Sequence, residues 1–139
     1  MSQPKLPKYR IAAAAIVCNG RILIARRKPG KNLEGFWEFP GGKIEKNETS
    51  EQCLKRELNE ELGLKTVSVQ ENLIKIQHRY PQSEIEMDVF LCSLGEESEV
   101  PTIFESHDRV EWAMVEDLKH YEWAPADLPA VRLLMDRAR

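Results

Sequence analysis

The sequence has few cysteines, and none is placed for a disulfide framework or a metal site. Cys18, Cys53 and Cys92 stand far apart, without the short spacings of metal-binding motifs. An odd, scattered set in a chain that shows no signal peptide is typical of reduced thiols. This pattern excludes a disulfide-stapled secreted scaffold and predicts a cytoplasmic protein.

Long hydrophobic runs and an excess of positive charge are also lacking. The longest apolar run, Ile11–Cys18, is much too short to cross a bilayer, so we expect no membrane span. Charged residues make up 31% of the chain and the net charge is −3, which argues against binding to duplex nucleic acid. The 139 residues suffice for a single domain, 1–139, with a polar, proline-rich and flexible lead over 1–8.

A cluster of carboxylates at helical spacing dominates the middle of the chain. At about 100° per residue, Glu57, Glu60 and Glu61 fall on one narrow arc of a helix. Leucines on the neighbouring arc, at positions 54, 58 and 62, supply a buried side. Carboxylates this close repel one another unless a cation lies among them, and oxygen ligands suit Mg²⁺ or Mn²⁺. A solvated acidic helix face is the alternative interpretation.

Local signals fix the limits of this helix at about Ser50 and Leu62. Thr49 followed by Gln52 predicts a capping box at the start. Gly63 stands where a helix commonly ends in a left-handed residue. In the loop before the helix, Gly41 and Gly42 allow the backbone to approach a ligand or metal closely.

The surrounding residues fill a long, spaced motif without a gap. It consists of Gly42, Glu48, Arg56, Glu57, Leu58, Glu60, Glu61, Gly63 and Leu64. In this respect the chain resembles the Nudix hydrolases. The resemblance covers about Tyr9–Ala138 and implies an α/β/α sandwich around a mixed β-sheet.

The resemblance also implies metal-assisted hydrolysis of a diphosphate linkage. Gly41, Glu57, Glu60 and Glu61 would hold Mg²⁺, with Mn²⁺ as a substitute, and one of the glutamates would act as the base. In the family the pair matching Glu48 and Arg56 is thought to brace the loop against the helix. An arginine among acids suits this structural role because it donates bidentate hydrogen bonds.

Residues 33–45 (LEGFWEFPGGKIE) narrow the resemblance to the MutT-like and CTP-pyrophosphohydrolase-like members. These act on nucleoside triphosphates and release the monophosphate and pyrophosphate. MutT-like relatives often carry a further glutamate six residues before a tryptophan, as a metal ligand or base. Here Ser106 holds that position, so Glu105 serves only if the loop shifts by one residue.

Four residues are candidate substrate contacts. By the resemblance, Arg27 would grip the triphosphate and Asp127 would hydrogen-bond the base, although Asp127 also suits the start of a helix. Glu38 and His78 are the other two, and an exposed strand position explains His78 equally well. Trp37, Phe39 and Trp123 are expected in the core.

The remaining patterns predict strands and one further helix. Asn19-Gly20 predicts a tight hairpin between strands Tyr9–Val17 and Arg21–Arg26. The other predicted strands are Lys65–Val69, Leu73–Arg79, Ile85–Cys92 and Ala113–Asp117, the last running into a short turn, and a helix follows from Leu128.

Three functions are compatible with these features. The first is a nucleotide-pool enzyme that cleaves oxidised or modified (d)NTPs, such as 8-oxo-dGTP or cytidine derivatives. The second is a Nudix hydrolase of another substrate, such as ADP-ribose, a dinucleoside polyphosphate or an RNA 5′ end. The third is a non-catalytic nucleotide sensor, which the complete set of motif carboxylates disfavours. In each case the partner is a small nucleotide, and the protein is a monomer or homodimer.

Overall fold

The computed structural model describes residues 5–95 and 107–138. The strands are β1 (Lys8–Cys18), β2 (Arg21–Arg27), β3 (Trp37–Glu38), β4 (Gly41–Lys43), β5 (Ser68–Tyr80), β6 (Ser83–Ser93) and β7 (His107–Met114). The helices are α1 (Ser50–Leu62) and α2 (Leu128–Arg137), with short 3-10 helices at Val115–His120 and Pro125–Asp127. No helix among these residues is long and apolar enough to cross a membrane.

All seven strands join one mixed sheet. The strand order is β3-β2-β1-β6-β5, with β4 paired to β1 and β7 paired to β2. β1 and β6 run parallel over ten residue pairs, from Lys8 opposite Glu84 to Val17 opposite Ser93, and the other pairings are antiparallel. The parallel pair at the centre makes β1 a strand that is covered on both faces.

Alternation along the central strands divides the core into two layers. Ala13 and Ala15 face a cluster that includes Val131 and Leu134 of α2. Ala12, Ala14 and Ile16 face the opposite cluster, together with the apolar side of α1. The sheet therefore lies between two helical layers, which confirms the predicted α/β/α sandwich around a mixed sheet.

The first hairpin is confirmed in detail. Asn19 and Gly20 both have positive φ, 51° and 77°, as a two-residue type I′ turn requires. Cys18 pairs with Arg21 across the turn. The strand begins at Lys8, so the flexible lead predicted over 1–8 does not include this residue; residues 1–4 lie outside the described part.

Two strand predictions are wrong. The strands predicted at Lys65–Val69 and Leu73–Arg79 form the single strand β5, whose register shifts between Val69 and Ile74. Bulges absorb the polar stretch between them, because β6 supplies a continuous partner. The strand predicted at Ala113–Asp117 ends at Met114, and the chain continues as a 3-10 helix.

Candidate active site

Helix α1 carries the acidic motif and is fixed at both ends by local bonds. The Thr49 side chain accepts a hydrogen bond from Gln52 N at 3.1 Å, and Gln52 Oε1 accepts one from Thr49 N at 2.9 Å. Gly63, with φ of 66°, ends the helix in the left-handed region. Leu54, Leu58 and Leu62 are buried against the sheet. The helix is thereby held with its carboxylates towards β4 and the preceding loop.

Arg56 ties this helix to the loop before it. Its Nε and Nη2 atoms donate to the two carboxylate oxygens of Glu48 at 2.7 and 3.0 Å. This bidentate pair has the geometry that the bracing interpretation requires, and it lowers the pKa of Glu48 to about 2. Arg56 Nη1 also donates to Glu57 Oε1 at 2.9 Å. The guanidinium therefore sets the position of one motif carboxylate.

The three motif glutamates do not share one environment. Glu57 and Glu61 line a cavity with a volume of about 490 Å³, called the main cavity below. The Glu60 side chain is 60% exposed and contacts Arg56 Nη1 at 3.4 Å, outside the cavity lining. Helical spacing brings the three onto neighbouring positions, but only two of them face the enclosed space.

Burial makes the two inner carboxylates hard to ionise. It raises the pKa of Glu61 to about 7, with the charges of Glu57 and Glu38 adding to the rise and His107 and Arg27 opposing it. Burial also raises the pKa of Glu57, against the effect of Arg56. Because Glu57 and Glu61 would repel each other when both are ionised, their position in one half-buried cavity favours the binding of a cation.

The glycines of β4 bring the backbone against this carboxylate end. Gly41 and Gly42 pair with Ala13 and Ala12 of β1 and line the cavity. A side chain at Gly41 would collide with the backbone carbonyl of Ala12, and one at Gly42 with the carboxyl group of Glu57. Gly41 therefore requires glycine for space, whereas a side chain at position 42 would displace the Glu57 carboxyl group.

Glu38 lies on the cavity wall, where Arg27 and His107 contact its carboxylate. Glu38 Oε2 lies 3.6 Å from Arg27 Nη1 and 2.8 Å from His107 Nε2. Arg27 Nε donates to the carbonyl oxygen of Asn32 at 3.0 Å, which fixes the arginine on the wall. Arg27 and Glu38, both predicted contacts, therefore meet in the cavity.

Phe39, Tyr80 and Asp127 also line the cavity, and together they are called its apolar end below. The Asp127 side chain is 5% exposed, and its Oδ2 accepts a hydrogen bond from Phe39 N at 2.9 Å. Although Asp127 precedes α2, its side chain makes no capping bond to that helix. Burial and the charge of Glu38 raise its pKa well above the ordinary value. The carboxyl group thus joins the residue that follows β3 to the start of α2 and lines the cavity.

The apolar residues near this end belong to the core, as predicted. Trp37, Phe39 and Trp123 are all buried. Phe39 and Trp123 have ring centroids 5.0 Å apart, and Trp123 Nε1 donates to the carbonyl oxygen of Leu118 at 2.7 Å. Phe39 is also part of the cavity wall.

Of the two remaining predicted site residues, His78 lies away from the cavity lining and Glu105 is not described. His78 lines a separate depression of about 160 Å³, and its ring meets the edge of Tyr80 at 4.5 Å between centroids. Glu105, like Ser106 after it, lies outside the described residues. The roles given to both residues stay predictions.

Sequence reasoning missed three residues of the site. His107 is 3% exposed and reaches Glu38 because β7 places it opposite Arg27 of β2. Tyr80 and Lys43 both line the cavity. Lys43 lies inside the motif, and this position was the available signal. For His107 no local signal exists, since a long-range strand pairing brings it to the site.

The donor atoms fit a divalent cation in part. Within residues 5–95 and 107–138, no group of three or more His, Cys, Asp or Glu side chains is arranged to hold a metal ion. Glu57 and Glu61 nevertheless present oxygen ligands beside the Gly41 backbone in the same cavity. A hard cation such as Mg²⁺ commonly uses one or two carboxylates and completes its shell with water and substrate phosphates.

A mixed sheet between two helical layers, with an acidic helix beside a glycine loop, defines a class of hydrolase that acts on phosphate anhydrides. Residues 12–133 match the family described as NUDIX domain, and the chain belongs to this family. Nudix hydrolases generally use a divalent metal.

The similar proteins agree on the branch. The chain is 32% identical over 130 residues to the CTP pyrophosphohydrolase of Escherichia coli (strain K12), and the match covers 90% of each chain. It is 43% identical over 83 residues to the 8-oxo-dGTP diphosphatase of Proteus vulgaris, covering 58% of this chain and 73% of that protein. A solution structure of a MutT protein of the Nudix family from methicillin-resistant Staphylococcus aureus 252 superposes with a TM-score of 0.74 at 35% identity, covering 96% and 99% of the two chains. The resemblance to MutT-like members is confirmed.

Proposed function

We propose that the protein is a Mg²⁺-dependent nucleoside triphosphate pyrophosphohydrolase that releases a nucleoside monophosphate and pyrophosphate. Oxidised or modified (d)NTPs, such as 8-oxo-dGTP or modified cytidine nucleotides, are the proposed substrates. The observation that carries the proposal is the lining of one cavity, which combines the carboxylates of Glu57 and Glu61 and the glycine backbone with an aromatic ring and a buried carboxyl group. In this proposal the polyphosphate binds at the carboxylates and the base binds beside the aromatic ring and Asp127.

The proposal assigns a role to each group of residues that lines or supports the cavity. Glu57 and Glu61, with the Gly41 backbone, would hold Mg²⁺, which supplies neutralisation of phosphate charge and activation of water. Arg27 binds the phosphate chain by charge-assisted hydrogen bonds. Arg56 and Glu48 keep Glu57 in place. Asp127 contacts the base edge, while Phe39 supplies an apolar wall.

The setting of the protein is part of the same proposal. We propose that residues 1–139 act as one domain, as a monomer or homodimer, in the cytoplasm. The cysteines support the last point: Cys53 and Cys92 are buried, and burial is the main cause that raises the pKa of each thiol to about 12. Such thiols are unreactive and suit a reducing compartment.

Pyrophosphate release with Mg²⁺ across a panel of ordinary and modified (d)NTPs, ADP-ribose and triphosphorylated RNA tests the function. A strong preference for one triphosphate supports the proposal. Turnover of ADP-ribose or RNA alone would contradict it in favour of another Nudix substrate. A lack of all turnover would leave nucleotide sensing.

The carboxylate end is tested by Glu57→Gln. We expect a fall in kcat of at least 100-fold, because the amide cannot supply the negative oxygen that the site requires. Glu51→Gln is the matched control, since Glu51 lies on the same helix, is exposed and pairs with Lys55 at 3.6 Å. Wild-type kcat in Glu57→Gln would contradict the assignment.

A further inference from the structure

Two polar side chains at the apolar end of the cavity are each held by a backbone N–H group. Phe39 N donates to Asp127 Oδ2 at 2.9 Å, and Ala126 N donates to the hydroxyl oxygen of Tyr80 at 3.0 Å. Both side chains line the main cavity. Because the donors belong to the rigid backbone, the positions of the carboxyl and hydroxyl groups are fixed without a ligand.

The Asp127 carboxyl group and the Tyr80 hydroxyl group each have further hydrogen-bonding capacity that these two bonds do not use. Within the described part of the chain, Asp127 Oδ1 makes no hydrogen bond, and no buried side-chain oxygen or nitrogen there lacks a partner. Oδ1 is therefore open to the cavity rather than sealed in the core. The Tyr80 hydroxyl accepts from Ala126, and its own proton has no acceptor among the same residues.

The environment keeps this hydroxyl protonated. Burial raises the pKa of Tyr80 above its usual value, and the negative charges of Asp127 and Glu38 add to the rise. At neutral pH the group is thus an O–H donor in the same cavity as the Asp127 carboxyl group, and it is bonded to the residue before Asp127. A donor and an acceptor in one cavity can match the edge of a nucleobase, which carries an acceptor next to an amino or imino group.

We propose that the Tyr80 hydroxyl is a specificity-determining group that donates a hydrogen bond to a nucleobase acceptor next to the atom contacted by Asp127. For cytosine the acceptor is N3 beside the 4-amino group. For guanine it is O6 beside N1–H. The inference rests on the proposed function, because it assumes that a nucleotide base occupies this end.

The Tyr80 hydroxyl also stabilises the turn at Pro125–Asp127, because it accepts a hydrogen bond from Ala126 N. The test must therefore distinguish a hydrogen bond to the base from this structural role. We would measure by calorimetry the affinities of AMP, GMP, CMP and UMP, without added metal, for wild-type protein and Tyr80→Phe. The best-bound monophosphate is expected to lose about 2- to 10-fold in affinity, the range for one hydrogen bond between neutral groups. The other three should lose less, so that the selectivity narrows.

Tyr121→Phe is the matched control. It removes a tyrosine hydroxyl that donates to Glu111 Oε2 at 2.8 Å, outside the cavity lining. All four affinities should equal those of the wild type. An equal loss for all four nucleotides in Tyr80→Phe would overturn the proposal and leave the turn as the only role of the hydroxyl. Unchanged affinities, or no measurable binding of any monophosphate to the wild type, would overturn it as well.

A change in the ligand tests the same bond in the unaltered protein. 3-Deaza-CMP replaces N3 by C–H, and 6-thio-GMP replaces O6 by sulfur, a weak acceptor. Wild-type protein should bind the analogue of its preferred base about 2- to 10-fold more weakly than the parent nucleotide. Tyr80→Phe should bind parent and analogue alike. If Tyr80→Phe binds the analogue more weakly than the parent nucleotide by the same factor as the wild type, another group donates the hydrogen bond to the base acceptor.

These outcomes are distinguishable from failure of the proposed function. If wild-type protein releases no pyrophosphate from any triphosphate but binds monophosphates with a Tyr80-dependent preference, hydrolysis is rejected and the base contact stands. If it hydrolyses triphosphates with a preference that Tyr80→Phe leaves intact, only the base contact is rejected.

Discussion

Asp127 is a carboxyl group buried at the start of a helix, bonded to another segment of the chain. Its Oδ2 accepts from Phe39 N instead of capping α2. An aspartate at a helix start favours capping from the sequence. The strand that passes close by offers a better buried donor, and no local pattern records that approach.

We predict opposite effects on stability for Asp127→Asn and Asp127→Ala. The amide oxygen of asparagine can still accept from Phe39 N, while the variant removes a charge that burial and Glu38 disfavour. Asp127→Asn should therefore raise Tm at neutral pH. Asp127→Ala leaves the buried N–H of Phe39 without a partner and should cost about 1–3 kcal/mol.

The pH dependence of the same variants checks the cause. The pKa of Asp127 is higher in the folded state, so the folded protein binds more protons than the unfolded chain above about pH 3.9. The stability of the wild type falls as the pH rises through that window. Thermal unfolding should show a gain in Tm for Asp127→Asn that is larger at pH 8 than at pH 4. A gain that shrinks with pH would mean that the ionised carboxylate is stabilising.

At the scale of the element, the two adjacent glycines of β4 pair with β1 and also line the cavity, but their neighbours differ. A Cβ at Gly41 would meet backbone atoms of β1, with Ala13 Cα at 2.7 Å. The three atoms nearest to a Cβ at Gly42 are the carboxyl atoms at the end of the Glu57 side chain. Backbone cannot move cheaply, whereas a glutamate side chain can.

We therefore predict that Gly41→Ala lowers stability and that Gly42→Ala lowers activity. Overpacking against β1 should cost the first variant about 1–3 kcal/mol in unfolding free energy. The second should keep its Tm but lose up to ~100-fold in kcat, because it displaces a carboxylate of the site. Gly95→Ala is the control, since no atom of residues 5–95 and 107–138 lies within 4 Å of the added carbon. Equal losses of Tm in both glycine variants would refute the distinction.

Helix α1 could be predicted closely because its signals are local, whereas strand pairing could not. The bounds Ser50 and Leu62 follow from Thr49, Gln52 and Gly63, all within four residues of an end. The polar residues between Val69 and Leu73 suggested a break, yet β5 continues because β6 lies beside it. Pairing with a distant partner overrides local propensity.

At the scale of the molecule, the same distinction separates predicted from unpredicted site residues. Glu57 and Glu61 follow from helical spacing and a motif, while Glu60 satisfies the same motif and is exposed. His107 reaches Glu38 through long-range pairing of β7 with β2, and Tyr80 lines the cavity from the end of β5. Sequence patterns thus identified the acidic helix, and the family resemblance identified Arg27, Glu38 and Asp127, whereas His107 and Tyr80 required the assembled sheet.

At the scale of the whole molecule, Glu57 and Glu61 are two carboxyl groups that burial makes costly to ionise. We therefore predict that a divalent cation bound between them stabilises the folded protein. Burial holds the pKa of Glu61 at about 7, and burial also raises that of Glu57. A cation that binds only the folded state adds about 2.7 kcal/mol at 100 times its Kd. For a chain of this size Mg²⁺ should raise Tm by about 5–10 °C in a thermal unfolding scan, against NaCl at equal ionic strength.

Glu61→Gln isolates the source of that stabilisation. Without metal its Tm should equal or exceed that of the wild type, because the variant removes a buried group that is costly to ionise. With Mg²⁺ its rise in Tm should be smaller, since one carboxylate ligand is gone. Glu51→Gln, exposed on the same helix, should keep the full rise. The same Mg²⁺-induced rise in all three proteins would show that the cation binds elsewhere, and the two inner carboxylates would then need another explanation for their burial.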